Sequence, residues 1–117
     1  MPESYKVKKS QSILKEELTR EFLSGKVHNV NLIDVDFSVN SVSLSKDLKT
    51  ARCYISSYNQ KISTSMIVNY LNKSVKSIRY AVSSRVNFKY APKLLFYEQQ
   101  AYDPEIEVNE ILTKLKN

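Results

Sequence analysis

Val42-Ser43-Leu44-Ser45-Lys46-Asp47-Leu48-Lys49-Thr50-Ala51-Arg52-Cys53-Tyr54-Ile55-Ser56 is the stretch whose reading decides the fold. Ala51, Cys53 and Ile55 alternate with Arg52, Tyr54 and Ser56, the period of a half-buried strand. Val42 and Leu44 alternate likewise on the other side of Ser45-Lys46-Asp47-Leu48, which has turn chemistry. Two such runs joined by so short a link predict an antiparallel hairpin.

Upstream, Val35, Phe37 and Val39 alternate with Asp34, Asp36 and Ser38, but in the opposite phase to Val42 and Leu44. A period-2 pattern that slips by one residue predicts a bulge at Asn40-Ser41, and an extended reading over Val27 to Leu44. Before that, Ile13, Leu14, Leu18, Phe22 and Leu23 recur at helical spacing, predicting a helix from about Ser10 to Ser24. Gly25, the one glycine of the chain, suits its left-handed stop. Residues 1–9 are polar and read as a loose tail.

Downstream, Lys61 to about Val86 carries an apolar stripe through Ile62, Met66, Ile67, Tyr70, Leu71, Val75, Ile78, Val82 and Val86. Lys73, Lys76, Arg79, Tyr80 and Ser83 fall beside it. Asn72-Lys73-Ser74 holds weak helix formers, so two helices are expected to meet there. Ala91-Pro92 interrupts the pattern. Lys93 to Tyr97 reads as a third strand, and Asp103-Pro104 opens a final helix over 104–116. The order is α-β-β-α-α-β plus a C-terminal helix, an α+β domain whose three-stranded sheet has helices on one face. At 117 residues it is one domain, 1–117.

Charge is segregated along this order. Leu48 to Tyr97 holds nine of the 18 cations, six of the eight tyrosines and none of the 12 carboxylates. Such a middle makes a strong local field, and a polyanion is its complement. The pI of about 9.4 meets the basic-domain criterion for nucleic-acid binding. An acidic protein partner would satisfy the same charge.

Other chemistries are poorly supplied. One glycine excludes a P-loop, a dinucleotide fingerprint and the Gly-x-x-Gly clamp of RNA-binding KH modules. His28, the one histidine, lies in a polar segment and reads as a surface residue. Cys53, the one cysteine, alternates onto the apolar face and reads as buried and inert. Asp34 and Asp36 share a predicted strand face and could hold a cation, but read as its solvated side. No Cys/His cluster suggests zinc. A single cysteine allows no internal disulfide and suits a reducing compartment. The first twelve residues hold no apolar signal core. No run approaches membrane-spanning length.

The hairpin resembles that of the ribosome-binding factor A family, whose members have a valine-rich strand, a Ser-x-Asp-Leu turn and an Ala-Lys-Val-Tyr-Val-like strand. Ile78-Arg79 matches the family's Ile-Arg pair, and Pro92-Lys93-Leu94-Leu95-Phe96 its Pro-x-Leu-x-Phe strand. The likeness spans roughly Ser10 to Leu115. It departs at Ser74, Val75 and Lys76, where the family carries Ala-x-Gly, and at Glu98-Gln99-Gln100, where it often has an Asp. The resemblance implies a type II KH-like fold. It also implies a cytoplasmic, monomeric, cofactor-free and non-enzymatic assembly factor. Such a factor would bind the 30S subunit and 16S rRNA during late rRNA processing. Lys73, Lys76, Arg79, Arg85, Lys89 and Lys93 are the cations expected to meet RNA phosphates, and Tyr80 is a candidate stacking ring.

Overall fold

The computed structural model describes residues 5–58, 61–86 and 91–99. The elements follow the expected order: helix α1 (Tyr5–Leu23), a 3-10 turn (Val30–Leu32), strands β1 (Phe37–Leu44) and β2 (Thr50–Ser57), helices α2 (Thr64–Lys73) and α3 (Val75–Ser83), and strand β3 (Lys93–Glu98). The C-terminal helix expected over 104–116 lies outside the described residues.

The sheet order is β1-β2-β3, with β2 in the centre. β1 and β2 are antiparallel, and the register shifts between Val39 and Ser41, where the change of phase put the bulge. The extra residue lets Val39 and Val42, three apart, both face the core. β3 is parallel to β2, with Cys53 beside Phe96. The connecting turn holds Leu48 at φ 62°. Ser45 receives the Thr50 amide on its Oγ (3.0 Å), and Asp47 accepts from Ser45 Oγ (2.6 Å) and the Lys49 amide (3.0 Å). A left-handed leucine is strained. The side-chain hydrogen bonds of the turn, and the packing of Leu48 on the core, offset that strain.

Two expectations change. α1 begins at Tyr5, five residues before Ser10, because Val7 is buried and extends the packed face by two turns. Ile13 and Leu23, read as part of that face, are exposed. The stripe that packs is Val7, Ser10, Leu14, Leu18 and Glu21, which keeps helical spacing with two polar members. The region before β1 is not extended from Val27. It folds into the 3-10 turn capped by Asn29, and Asp34 sits at φ 61°. Asp34 and Asp36 therefore precede the strand and share no strand face. The stop at Gly25, φ 83°, falls where α1 ends.

α1 packs on β1, α2 on β3 and β2, and α3 on β3 and α1. All helices lie on the side to which Ala51, Cys53, Ile55, Leu94 and Phe96 point, and these are almost fully buried. Leu14, Leu18, Ile67, Leu71, Ile78 and Val82 close the core from the helices. Burial pushes the Cys53 thiol up to about 12, so it stays protonated and inert at neutral pH.

Candidate nucleic-acid interface

α2 and α3 meet at Ser74, which has φ −105° and ψ 14° and does not cap α3 with its side chain. The break comes where weak helix formers put it, and a distant residue holds it. Asn29, from the loop after α1, donates to Ser74 Oγ (3.0 Å) and to the Tyr70 carbonyl (3.3 Å). The Tyr70 carbonyl, which already accepts from the Ser74 amide (3.1 Å), thereby gains a second donor. Ser74 does the work of a flexible residue because an amide from elsewhere in the chain fixes the bend.

Below the break, α2 is tied to the sheet edge. Asn72 donates to the Phe96 carbonyl (3.0 Å) and accepts from the Phe96 amide (2.9 Å). One side-chain amide thus satisfies both edge groups of a β3 residue, as a neighbouring strand would. Nothing in the sequence signals this contact across 24 residues.

Between α3 and β3 runs an open groove of about 710 Å³, lined by Asn72, Val75, Lys76, Arg79, Tyr80, Ser83, Ala91, Lys93, Leu94 and Leu95. Lys76 and Arg79 lie about 60° apart around α3, so both reach one wall. Arg79 donates to the Ala91 carbonyl (2.6 Å), which holds its guanidinium along the groove while leaving other N–H groups for a ligand. The partner of Arg79 is thus a carbonyl rather than a carboxylate. Tyr80 is 79% exposed. Lys93 faces the groove from β3. Lys73 is exposed in the last turn of α2, where its charge suits the helix dipole.

The structure does not bring Arg85 to this groove. It lies in the turn after α3, roughly 120° round from Arg79. It donates to Glu21 Oε1 (2.8 Å) and lies 3.8 Å from Glu17 Oε2. Among the described residues it is the one cation of the middle segment that meets a carboxylate. Lys89 lies outside the described residues.

His28 is not a surface residue. Its side chain is 4% exposed; Nε2 donates to Glu21 Oε2 and Nδ1 meets Ser77 Oγ, both at 2.5 Å. Burial would raise the Glu21 pKa. The hydrogen bonds and charges of His28 and Arg85 outweigh it, and the carboxyl titrates below its usual range. The order Glu-His-Ser is that of a nucleophilic triad, but here the carboxylate is shared with Arg85. The cluster joins α1, the following loop and α3, and it acts as a strut. Among the described residues no group of His, Cys, Asp and Glu could hold a metal ion.

A basic groove on an α-β-β-α-α-β frame has a match in sequence. The model of the family described as Ribosome-binding factor A matches residues 6–112. The chain belongs to the ribosome-binding factor A family. It is 31% identical over 109 residues to the ribosome-binding factor A of Rickettsia prowazekii (strain Madrid E), covering 93% of this chain and 85% of that one. It is also 31% identical over 112 residues to that of Rickettsia africae (strain ESF-5), covering 96% and 93%. Among solved structures, the fold resembles a Thermotoga maritima protein solved by NMR and assigned by likeness to ribosome-binding factor A. The TM-score is 0.69 at 22% identity, over 88% of this chain and 95% of that one. A Thermus thermophilus ribosome-binding factor A homology model, fitted into a cryo-EM map of its 30S complex, gives a TM-score of 0.61 at 20% identity. That match covers 79% of this chain and 93% of the other.

Proposed function

We propose that this protein is an assembly factor that docks on the small ribosomal subunit and holds 16S rRNA during its late processing. The observation that carries the reading is the groove: Lys76, Arg79 and Lys93 converge on it, and among the described residues none of them pairs with a carboxylate. Family membership supports it, as does the 30S complex of the Thermus thermophilus protein.

In this reading the three cations neutralise phosphates and displace counterions, and Lys73, exposed on α2 but not lining the groove, adds a further positive charge. Shape is read rather than base sequence, since phosphate contacts set position and carry no base code. Arg85 serves the strut instead. The protein acts without catalysis or cofactor, by stabilising one RNA conformation. It works as a cytoplasmic monomer. No helix among the described residues is long and apolar enough to cross a membrane.

Salt titration of binding to rRNA and to 30S particles tests this. Log affinity is expected to fall steeply with log salt. Lys76→Ala/Arg79→Ala/Lys93→Ala is expected to flatten the slope by about 2–3. Binding to 30S particles with no affinity for rRNA, and no change in slope, would instead make the groove a site for an acidic protein.

A further inference from the structure

The face of the sheet that no helix covers is the second candidate surface. Alternation along β2 sends Ala51, Cys53 and Ile55 into the core and leaves Arg52, Tyr54 and Ser56 on the open side. Along β3 the same rule leaves Lys93, Leu95 and Tyr97 there. The parallel register then sets Tyr54 beside Tyr97, and Arg52 beside Leu95. The two tyrosine rings stack, centroids 5.7 Å apart and planes inclined by 30°. Tyr97 is still 41% exposed. Ser41 of β1 pairs with Tyr54 and Ser43 with Arg52, so the β1 neighbours on this face are small. The one carboxylate within the three strands, Glu98, is exposed at the end of β3 and by alternation belongs to the other face.

A cross-strand aromatic pair stabilises a sheet by itself. That does not account for the charge around this one. Arg52 lies two residues from Tyr54 on the same face, about 7 Å along the strand. Lys93 borders both this face and the groove, as does Leu95. A chain lying in the groove therefore reaches the rings by crossing the edge of β3. A stacked pair with Tyr97 exposed and Tyr54 half-buried, and with the exposed cations Arg52 and Lys93 on the same face, matches single-stranded nucleic acid: every base has a π-face, and each link carries a phosphate. A protein partner would need a broader apolar surface, and Leu95 is the one aliphatic side chain here.

We propose that the open sheet face is a stacking platform for unpaired bases of RNA, formed by Tyr54 and Tyr97, with Arg52 and Lys93 neutralising the adjoining phosphates. It rests on the reading of the groove as an RNA path, and it names the RNA: single-stranded nucleotides leaving the groove over β3.

The test compares a single-stranded RNA oligonucleotide with a duplex of equal length, using the full chain. Tyr97→Leu and Tyr54→Leu are each expected to weaken single-strand binding by about 5- to 100-fold and duplex binding by less than about 2-fold. The salt slope should stay unchanged, because no charge is removed. Tyr97→Phe, which keeps the ring, should bind as the parent does, and retained duplex binding by the leucine variants shows that their loss is not misfolding. Lys76→Ala/Arg79→Ala should weaken both RNA forms. If that pair weakens binding and the tyrosine variants do not, the platform is overturned and the groove stands. If neither set matters, the groove reading falls first. Loss of 30S binding by the tyrosine variants, with both RNA forms unaffected, would assign the face to a ribosomal protein and overturn the platform.

Discussion

Asp47 and Glu21 both titrate below the usual carboxylate range, for different reasons. Asp47 is held by the hydroxyl of Ser45 and the amide of Lys49 in an exposed turn. Glu21 is 2% exposed and is kept ionised, against its own desolvation, by His28 and Arg85. A carboxyl with a depressed folded pKa stabilises the fold above its unfolded value, about 4. That contribution fades as pH falls through the folded pKa. Stability is therefore expected to drop as pH falls below about 4. Glu21→Gln should be less stable than the parent at pH 7 and lose part of that acid-side slope, read by denaturant titration at several pH values. Arg85→Ala leaves Glu21 and Glu17 without their shared cation. The partly exposed pair should cost about 1–2 kcal/mol of stability. Thermal melting would show this, while the salt slope of RNA binding should be unchanged.

At the scale of elements, the α2–α3 junction and the β3 edge are each held by one asparagine. Asn29→Ala removes both side-chain hydrogen bonds that reach the bend and should cost about 1 kcal/mol. It should also weaken RNA binding, because Lys76 lies in the first turn of α3 and moves with it. Asn72→Leu strips the Phe96 amide and carbonyl of their partners and is expected to cost about 1–3 kcal/mol. Amide hydrogen exchange at Phe96 should speed up before that of β2, whose strand neighbours remain. Neither asparagine was legible as a functional residue. A polar side chain in a loop or a last helical turn looks like any solvated one until its partner, 45 or 24 residues away, is known.

For the whole molecule, segregated charge matters more than the net value of +6. Helical phase sorts the middle cations: Lys76 and Arg79 turn to the groove and Arg85 to α1. If the groove carries binding, Lys76→Glu should cost more at 50 mM than at 200 mM salt, since screening shortens the range of the repulsion. Equal losses at both would point to a steric role. The tyrosines divide in the same way, with Tyr80 in the groove, Tyr54 and Tyr97 on the sheet, and Tyr70 half-buried.

By itself the sequence determined what depends on neighbours a few residues apart. The order of the helices and strands among the described residues, the bulge, the stop at Gly25, the break near Ser74 and the buried thiol all follow from periodicity and local turn chemistry, which act over one to four residues. The tertiary structure alone decided the early start of α1, the burial of His28 against Glu21, the diversion of Arg85, and the side on which β3 pairs. Each depends on which distant surface a residue meets. Hydrophobic period tells which way a side chain points from its own backbone, while its partner is set by how separate elements pack.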